Sequence, residues 1–206
     1  MKKSIEKQMD VVFILDRSGS MGGSEADTIG GFNSYLKKNR NKNYLVTTIL
    51  FDDRYEKLYE QEKISEVEEL DEKTYYVRGC TALLDAVGKS IKLMEKKAKG
   101  KVLFAITTDG YENASREYTK EQIKEMITGH KEWEFMYIGA DIDSYAEASA
   151  IGISADHTAN YRKSQKGINM LYDAVGMACE CCCKEETIGT DWKKSLDDYI
   201  KENEKT

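Results

Sequence analysis

Four short apolar runs limit the possible folds more than any other feature of this chain. They are VVFIL (Val11–Leu15), YLVTTILF (Tyr44–Phe51), KVLFAITT (Lys101–Thr108) and EFMYIGA (Glu134–Ala140). Each is short and nearly unbroken, without the polar alternation of a half-exposed strand. Such runs suit strands covered on both faces, the habit of parallel sheets. Amphipathic helical patterns lie between and after them. Ile29, Phe32 and Leu36 share one face, and Leu84, Val87, Ile91 and Met94 form a longer stripe. Ile123, Met126 and Ile127 mark a third helix. Ile168, Leu171, Tyr172, Val175, Cys179 and Cys182 mark another, at spacings of three and four.

Smaller elements complete the pattern. SYAEASAIG reads as a short helix capped by Asp143 or Ser144, and HTANY as a last edge strand. The polar–apolar alternation of DDRYEKLYEQEKI and KTYYVRG, between Phe51 and Gly79, predicts an antiparallel edge hairpin. Trp192, Leu196 and Ile200 predict a terminal helix. Strand and helix alternate with short joins. The expected fold is therefore α/β: a Rossmann-like, doubly wound, mostly parallel sheet with one short antiparallel edge strand and helices on both faces. No linker or repeat divides the chain. We read one domain over 1–206, with a core over about 8–183 and a helical tail over 184–206.

Composition excludes some functions. The net charge is −6 and no long basic stretch occurs, so nucleic acid is not an expected partner. No apolar segment approaches the roughly 20 residues that span a bilayer, so no membrane partner is expected. The start, MKKSIEKQMD, has lysines but no apolar stretch after them, unlike a secretory signal. Five cysteines, four of them crowded into CECCC, make a poor disulfide framework. These features lead us to expect a cytoplasmic protein.

In doubly wound sheets, ligands bind beyond the carboxyl ends of the strands. DRSGS follows the first run, TTDG ends the third, and the polar turn of RGCTALLDA precedes the longest early stripe. Asp16, Ser18, Ser20, Thr81 and Asp109 thus fall on one expected rim. All five offer hard oxygen, which suits Mg2+, with Mn2+ or Ca2+ as alternatives. Hydroxyls outnumber carboxylates, so a bound cation would stay under-neutralised. Its complement would be a Glu or Asp of another molecule.

These three motifs, in this order, resemble the metal-ion-dependent adhesion site (MIDAS) of von Willebrand factor A (vWA) domains, whose signature is D-x-S-x-S. The likeness spans roughly the first 140 residues, and TALLDA is more similar to small bacterial and phage intracellular members than to extracellular adhesins. The resemblance implies that Ser18, Ser20 and Thr81 bind the metal directly, while Asp16 and Asp109 act mostly through water. It implies a protein partner, such as an ATPase or a stress-response protein, and movement of the helix near Ile168–Cys182 or of the terminal helix. Relatives often carry Gly-Gly-Thr where this chain has Gly79-Cys80-Thr81, so a different turn is expected there.

Simpler readings accompany other residues. Asp85 suits the first turn of a helix, and Asp52, Asp53, Asp141 and Asp143 are expected in solvated turns and caps. Cys179 and Cys182 fall on an apolar stripe, as core fillers. His130 and His157 have no companions, so no nucleophile–base set is expected. A phosphatase of the haloacid-dehalogenase type would need a second acid where Ser18 stands. The chain is therefore read as a binding module, not an enzyme. A Mg2+-dependent phosphatase-like hydrolase and a metal-free scaffold are the alternatives.

Overall fold

The computed structural model describes residues 8–184 and 186–203. The lysine-bearing start, the last three residues of the tail and residue 185 lie outside the described residues. Among the described residues, six strands form one sheet: β1 (Met9–Asp16), β2 (Tyr44–Phe51), β3 (Tyr55–Lys63), β4 (Val102–Thr108), β5 (Glu134–Gly139) and β6 (Thr158–Asn160). The helices are α1 (Glu25–Asn39), α2 (Leu83–Lys97), α3 (Lys120–Gly129), α4 (Ser144–Ala150), α5 (Gln165–Cys183) and α6 (Lys194–Asn203). The strand order is β3-β2-β1-β4-β5-β6. Only β2 and β3 pair antiparallel; the other neighbours are parallel. This is the expected α/β architecture.

Strand pleating divides the core. Along β1, Val11, Phe13 and Leu15 face one layer with α1, α5 and α6, while Val12 and Ile14 face the other with α2, α3 and α4. All five are 0% exposed. Burial of such a side chain contributes about 1.5–3 kcal/mol, so β1 is the spine of both layers. Phe13 also meets Phe32 and Tyr35 edge to face, at 5.2 and 5.0 Å between ring centroids. Chain order reverses direction between β1 and β4. The crevice at their carboxyl ends is the sheet's topological switch point.

The hairpin expectation needs correction in its second half. β3 pairs with β2 over nine residues, but KTYYVRG forms no strand. The segment from Ile64 to Ala82 runs as irregular chain over the α1 layer. Its apolar side chains, Ile64, Val67, Leu70 and Tyr75, are buried at irregular spacing, which imitates alternation locally. Asn33 pins it by accepting from Leu70 N at 2.8 Å and donating to Leu70 O at 2.9 Å.

The tail packs on the β6 edge. Trp192 precedes α6 in a single 3-10 turn, and its indole donates to Asp156 O at 2.9 Å. The Lys193 ammonium donates to Ala155 O and Thr158 O at 2.5 and 2.8 Å. An otherwise open strand edge is thereby covered. Among the described residues, no helix is long and apolar enough to cross a membrane.

Candidate metal centre

β1 ends by delivering Asp16 into the crevice, fully buried. The chain then tightens into a 3-10 turn at Gly19–Met21. Asp16 Oδ1 accepts from Ser18 N at 2.7 Å, and Oδ2 accepts from Thr108 Oγ1 at 2.6 Å, across the switch point. Ser18 Oγ lies 3.0 Å from Ser20 Oγ, which donates to Asp109 Oδ1 at 2.5 Å. Four of the five expected residues are thus linked from Asp16 to Asp109, through the Ser18 amide and then through the two serine hydroxyls.

Thr81 reaches the same place from the turn before α2. Gly79 takes the left-handed conformation, φ +67°, and a Cβ there would stand 2.1 Å from Asp53 Oδ1. Cys80 is exposed and has no positive φ. The strained position of the turn is therefore glycine's, and the expected difference from Gly-Gly-Thr does not involve Cys80's backbone. Gly110 supplies the closest measure of convergence. A Cβ on it would lie 2.8 Å from Thr81 Oγ1 and 3.2 Å from Ser20 Oγ. Both hydroxyls approach Gly110 more closely than a side chain there would allow.

The segment after β4 holds the Thr81 turn in place. Asn113 Oδ1 accepts from Thr81 N at 2.9 Å, and Asn113 N donates to Thr81 O at 3.0 Å. The first turn of α2 has no side-chain cap of its own at Ala82. Its donors go instead to Glu112 and Ser115: Leu84 N to Glu112 Oε2 at 2.9 Å, and Asp85 N to Ser115 Oγ at 3.0 Å. Asp85 returns the favour. Its carboxylate accepts from the amides of Arg116, Glu117 and Tyr118 at 2.9, 2.9 and 3.0 Å. Asp85 is thus more than a helix-dipole partner, because it ties α2 to the loop that begins at Asp109.

Charge is unevenly matched around the crevice. Burial pushes the Asp16 carboxyl up to about 6; hydrogen bonds from Thr108 and Ser18 oppose this, and the Asp109 charge adds to it. The Lys163 ammonium lies 3.0 Å from Asp109 Oδ2, 2.9 Å from Asp141 Oδ2 and 3.4 Å from Ser20 O. Next door, Arg17 is completely buried, an outcome its place inside D-x-S-x-S did not suggest. It pairs with Asp52 at 2.9 Å and Glu56 at 2.6 Å, and Arg78 joins Asp52 at 2.6 Å. Burial alone raises the Asp52 carboxyl. Bonds from Arg78, the Arg54 amide and Arg17 outweigh it and hold the group below its usual range. Asp52 is therefore no solvated turn residue, whereas Asp53 is exposed and Asp143 caps α4 by accepting from Ala146 N at 3.0 Å.

Other candidates are occupied elsewhere. Cys179 and Cys182 are buried in the α5 layer, as expected of core fillers. His130 stacks on Trp133 and meets Glu95 at 3.1 Å; His157 meets Glu134 at 2.9 Å. Among the described residues, no group of three or more His, Cys, Asp or Glu side chains could hold a metal ion. Any cation at the rim would depend on hydroxyl oxygens.

No family model matches the sequence and no curated protein is similar to it. Solved structures are similar in fold. Proximal thread matrix protein 1 from the mussel byssus, in a form with a zinc-occupied MIDAS motif, superposes with TM-score 0.57 at 18% identity. That match covers 84% of this chain and 46% of the other. PilB minor pilin from Streptococcus sanguinis gives 0.68 at 9% identity, covering 89% and 63%. The vWF domain of the type V pili tip protein Mfa5 from Porphyromonas gingivalis gives 0.62 at 9% identity, covering 85% and 97%. The chain thus spans less than half of the byssus protein and nearly all of the isolated Mfa5 domain. The fold is that of a vWA-type domain.

Proposed function

We propose that the rim holds one divalent cation and that the protein uses it to grip a Glu or Asp of a protein partner. Ser18, Ser20 and Thr81 would hold the ion through their hydroxyl oxygens. Asp16 and Asp109 would stand behind them, orienting the serines by accepting hydrogen bonds. When bound, the ion would offer a Lewis-acidic site that a carboxylate oxygen completes. The observation that carries this reading is the bare Gly110 cradle, which Thr81 Oγ1 and Ser20 Oγ both approach. The donor set favours Mg2+ over softer ions. The zinc reported for the byssus protein adds Zn2+ to those worth testing.

The action we propose is binding without turnover. Both histidines lie at the amino-terminal end of the sheet, bonded to Glu95 and Glu134 and far from the hydroxyl rim. A cytoplasmic setting rests on the sequence reading alone, and the pilus and byssus proteins do not support it. An ATPase or a stress-response protein as the partner rests on the sequence resemblance alone. One observation favours a metal-free scaffold instead: an ammonium, Lys163, already neutralises Asp109.

Titration of the protein with Mg2+, Mn2+, Ca2+ and Zn2+, followed by capture of an acidic peptide with and without EDTA, tests the reading. Gly110→Ala should weaken ion binding at least about tenfold while the protein stays folded. Ser18→Ala/Ser20→Ala should abolish capture. Equal capture in Mg2+ and EDTA would reject the proposal.

A further inference from the structure

We propose that Lys163 is a built-in cation that occupies the anionic side of the rim, and that a divalent ion enters only by displacing it. This rests on reading the rim as a metal site. Lys163 comes from the short join between β6 and α5, just before Ser164, whose hydroxyl caps α5 by accepting from Gly167 N at 3.2 Å. The backbone at the join is therefore held, while the long side chain reaches back across the crevice.

The ammonium sits against the anionic side of the rim, on the Asp109 carboxylate. It donates to Asp109 Oδ2 at 3.0 Å and approaches Ser20 O at 3.4 Å. The Asp109 side chain is 0% exposed, whereas that of Lys163 is 27% exposed. Asp109 divides its two oxygens between Ser20 and Lys163. A second cation beside these oxygens would face an ammonium at hydrogen-bonding distance, in a setting that screens charge poorly. The two positive charges compete for the same carboxylate.

Asp141 gives the displaced ammonium a place to go. Its carboxylate is 2.9 Å from Lys163 Nζ, and its side chain is 66% exposed, at the outer edge of the rim. Asp141 is held at φ +56°, a left-handed conformation uncommon for a residue other than glycine. An exposed acceptor beside a buried one lets the ammonium keep one partner when it leaves the other. Burial alone lowers the Lys163 pKa, but the bonds to Asp141 and Asp109 outweigh it, so the group stays charged. Carbon flexibility in the lysine stem makes the swing a side-chain motion that leaves the fold intact.

Calorimetric titration of wild type, Lys163→Met, Lys163→Arg and Lys163→Met/Ser18→Ala/Ser20→Ala with MgCl2 and MnCl2 tests the proposal. Lys163→Met should bind about tenfold more tightly than wild type. Lys163→Arg should stay near wild type, and the triple variant should not bind. Acylation of Lys163 in the unaltered protein, followed by peptide mass spectrometry, should become several-fold faster when Mg2+ is added. Binding by Lys163→Met alone would also support the proposal. Equal or weaker binding by Lys163→Met, or acylation unaffected by Mg2+ that binds, would overturn it and leave the metal site standing. No binding by wild type or Lys163→Met at millimolar concentration would reject the metal site, and this proposal with it.

Discussion

Asp52 and Asp109 have the same side chain, and in both it is completely buried within the crevice region. Their surroundings differ. Around Asp52, two guanidiniums, Arg17 and Arg78, face two carboxylates, Asp52 and Glu56, and both arginines lie against the Tyr76 ring at 5.3 and 5.4 Å. Charge is balanced, and of the guanidinium nitrogens of Arg17 it is Nη1 that is left buried without a hydrogen-bond partner among the described residues. On the other side, Asp109 and the exposed Asp141 share a single ammonium, the buried Asp16 has none among the described residues, and the remaining neighbours are hydroxyls. Consecutive residues, Asp16 and Arg17, point into these two settings from one strand end. A charge-balanced ion-pair clasp therefore stands beside a rim left short of positive charge. The first holds the chain in place; the second is where an added cation would gain most.

The sharpest way to break this comparison is to remove each carboxylate in turn. Asp52→Ala leaves the buried Arg17 with only the half-exposed Glu56 and should cost about 3–5 kcal/mol of stability, read by urea denaturation. Asp109→Asn relieves an anionic site and should cost less than about 1 kcal/mol, while weakening ion binding. Similar losses in the two variants would refute the contrast.

The next effect is one of pH. The folded Asp16 carboxyl, raised to about 6 from 3.8, keeps its proton where the unfolded chain has lost it. Its contribution is therefore present at low pH and is lost as pH rises through about 6. In EDTA, wild type should lose on the order of 2–3 kcal/mol relative to Asp16→Asn between pH 4 and pH 7. A difference that is flat, or that rises with pH, would show that Asp16 is better solvated than its burial implies.

Smaller effects sharpen the picture of the turn. Asp85→Ala removes the acceptor of three amides and should cost about 1–3 kcal/mol, with faster amide exchange at Arg116, Glu117 and Tyr118. Cys80→Ser should change stability by no more than about 0.5 kcal/mol and leave ion binding intact, because that side chain faces solvent. A large effect there would mean that the turn depends on more than Gly79.

The sequence showed the sheet clearly because burial on both faces writes unbroken apolar runs, as in Val11–Leu15 and Lys101–Thr108. It also showed the five rim oxygens, since each follows a strand or opens a helix. Three features were not legible. Arg17 is buried only because Asp52, Glu56 and Arg78 converge on it from far along the chain, although the DDR after the second run was a hint. Lys163 meets Asp109 across 54 positions, and no periodicity marks such a pair. Asp85 looked like an ordinary first-turn acid, and its three amide donors arrive only when the loop folds over it. The stretch after Lys63 misled for the opposite reason, because irregular burial can look like alternation over a few residues.

The borrowed first turn of α2 has a consequence in time. Its amide donors find their acceptors at Glu112 and Ser115, 28 and 30 positions later. During synthesis, α2 emerges before those acceptors exist, so its start can settle only after β4 has been laid beside β1. Thr81 would then settle well after its own synthesis, and order at this spot reports that β4 and the loop after it are in place.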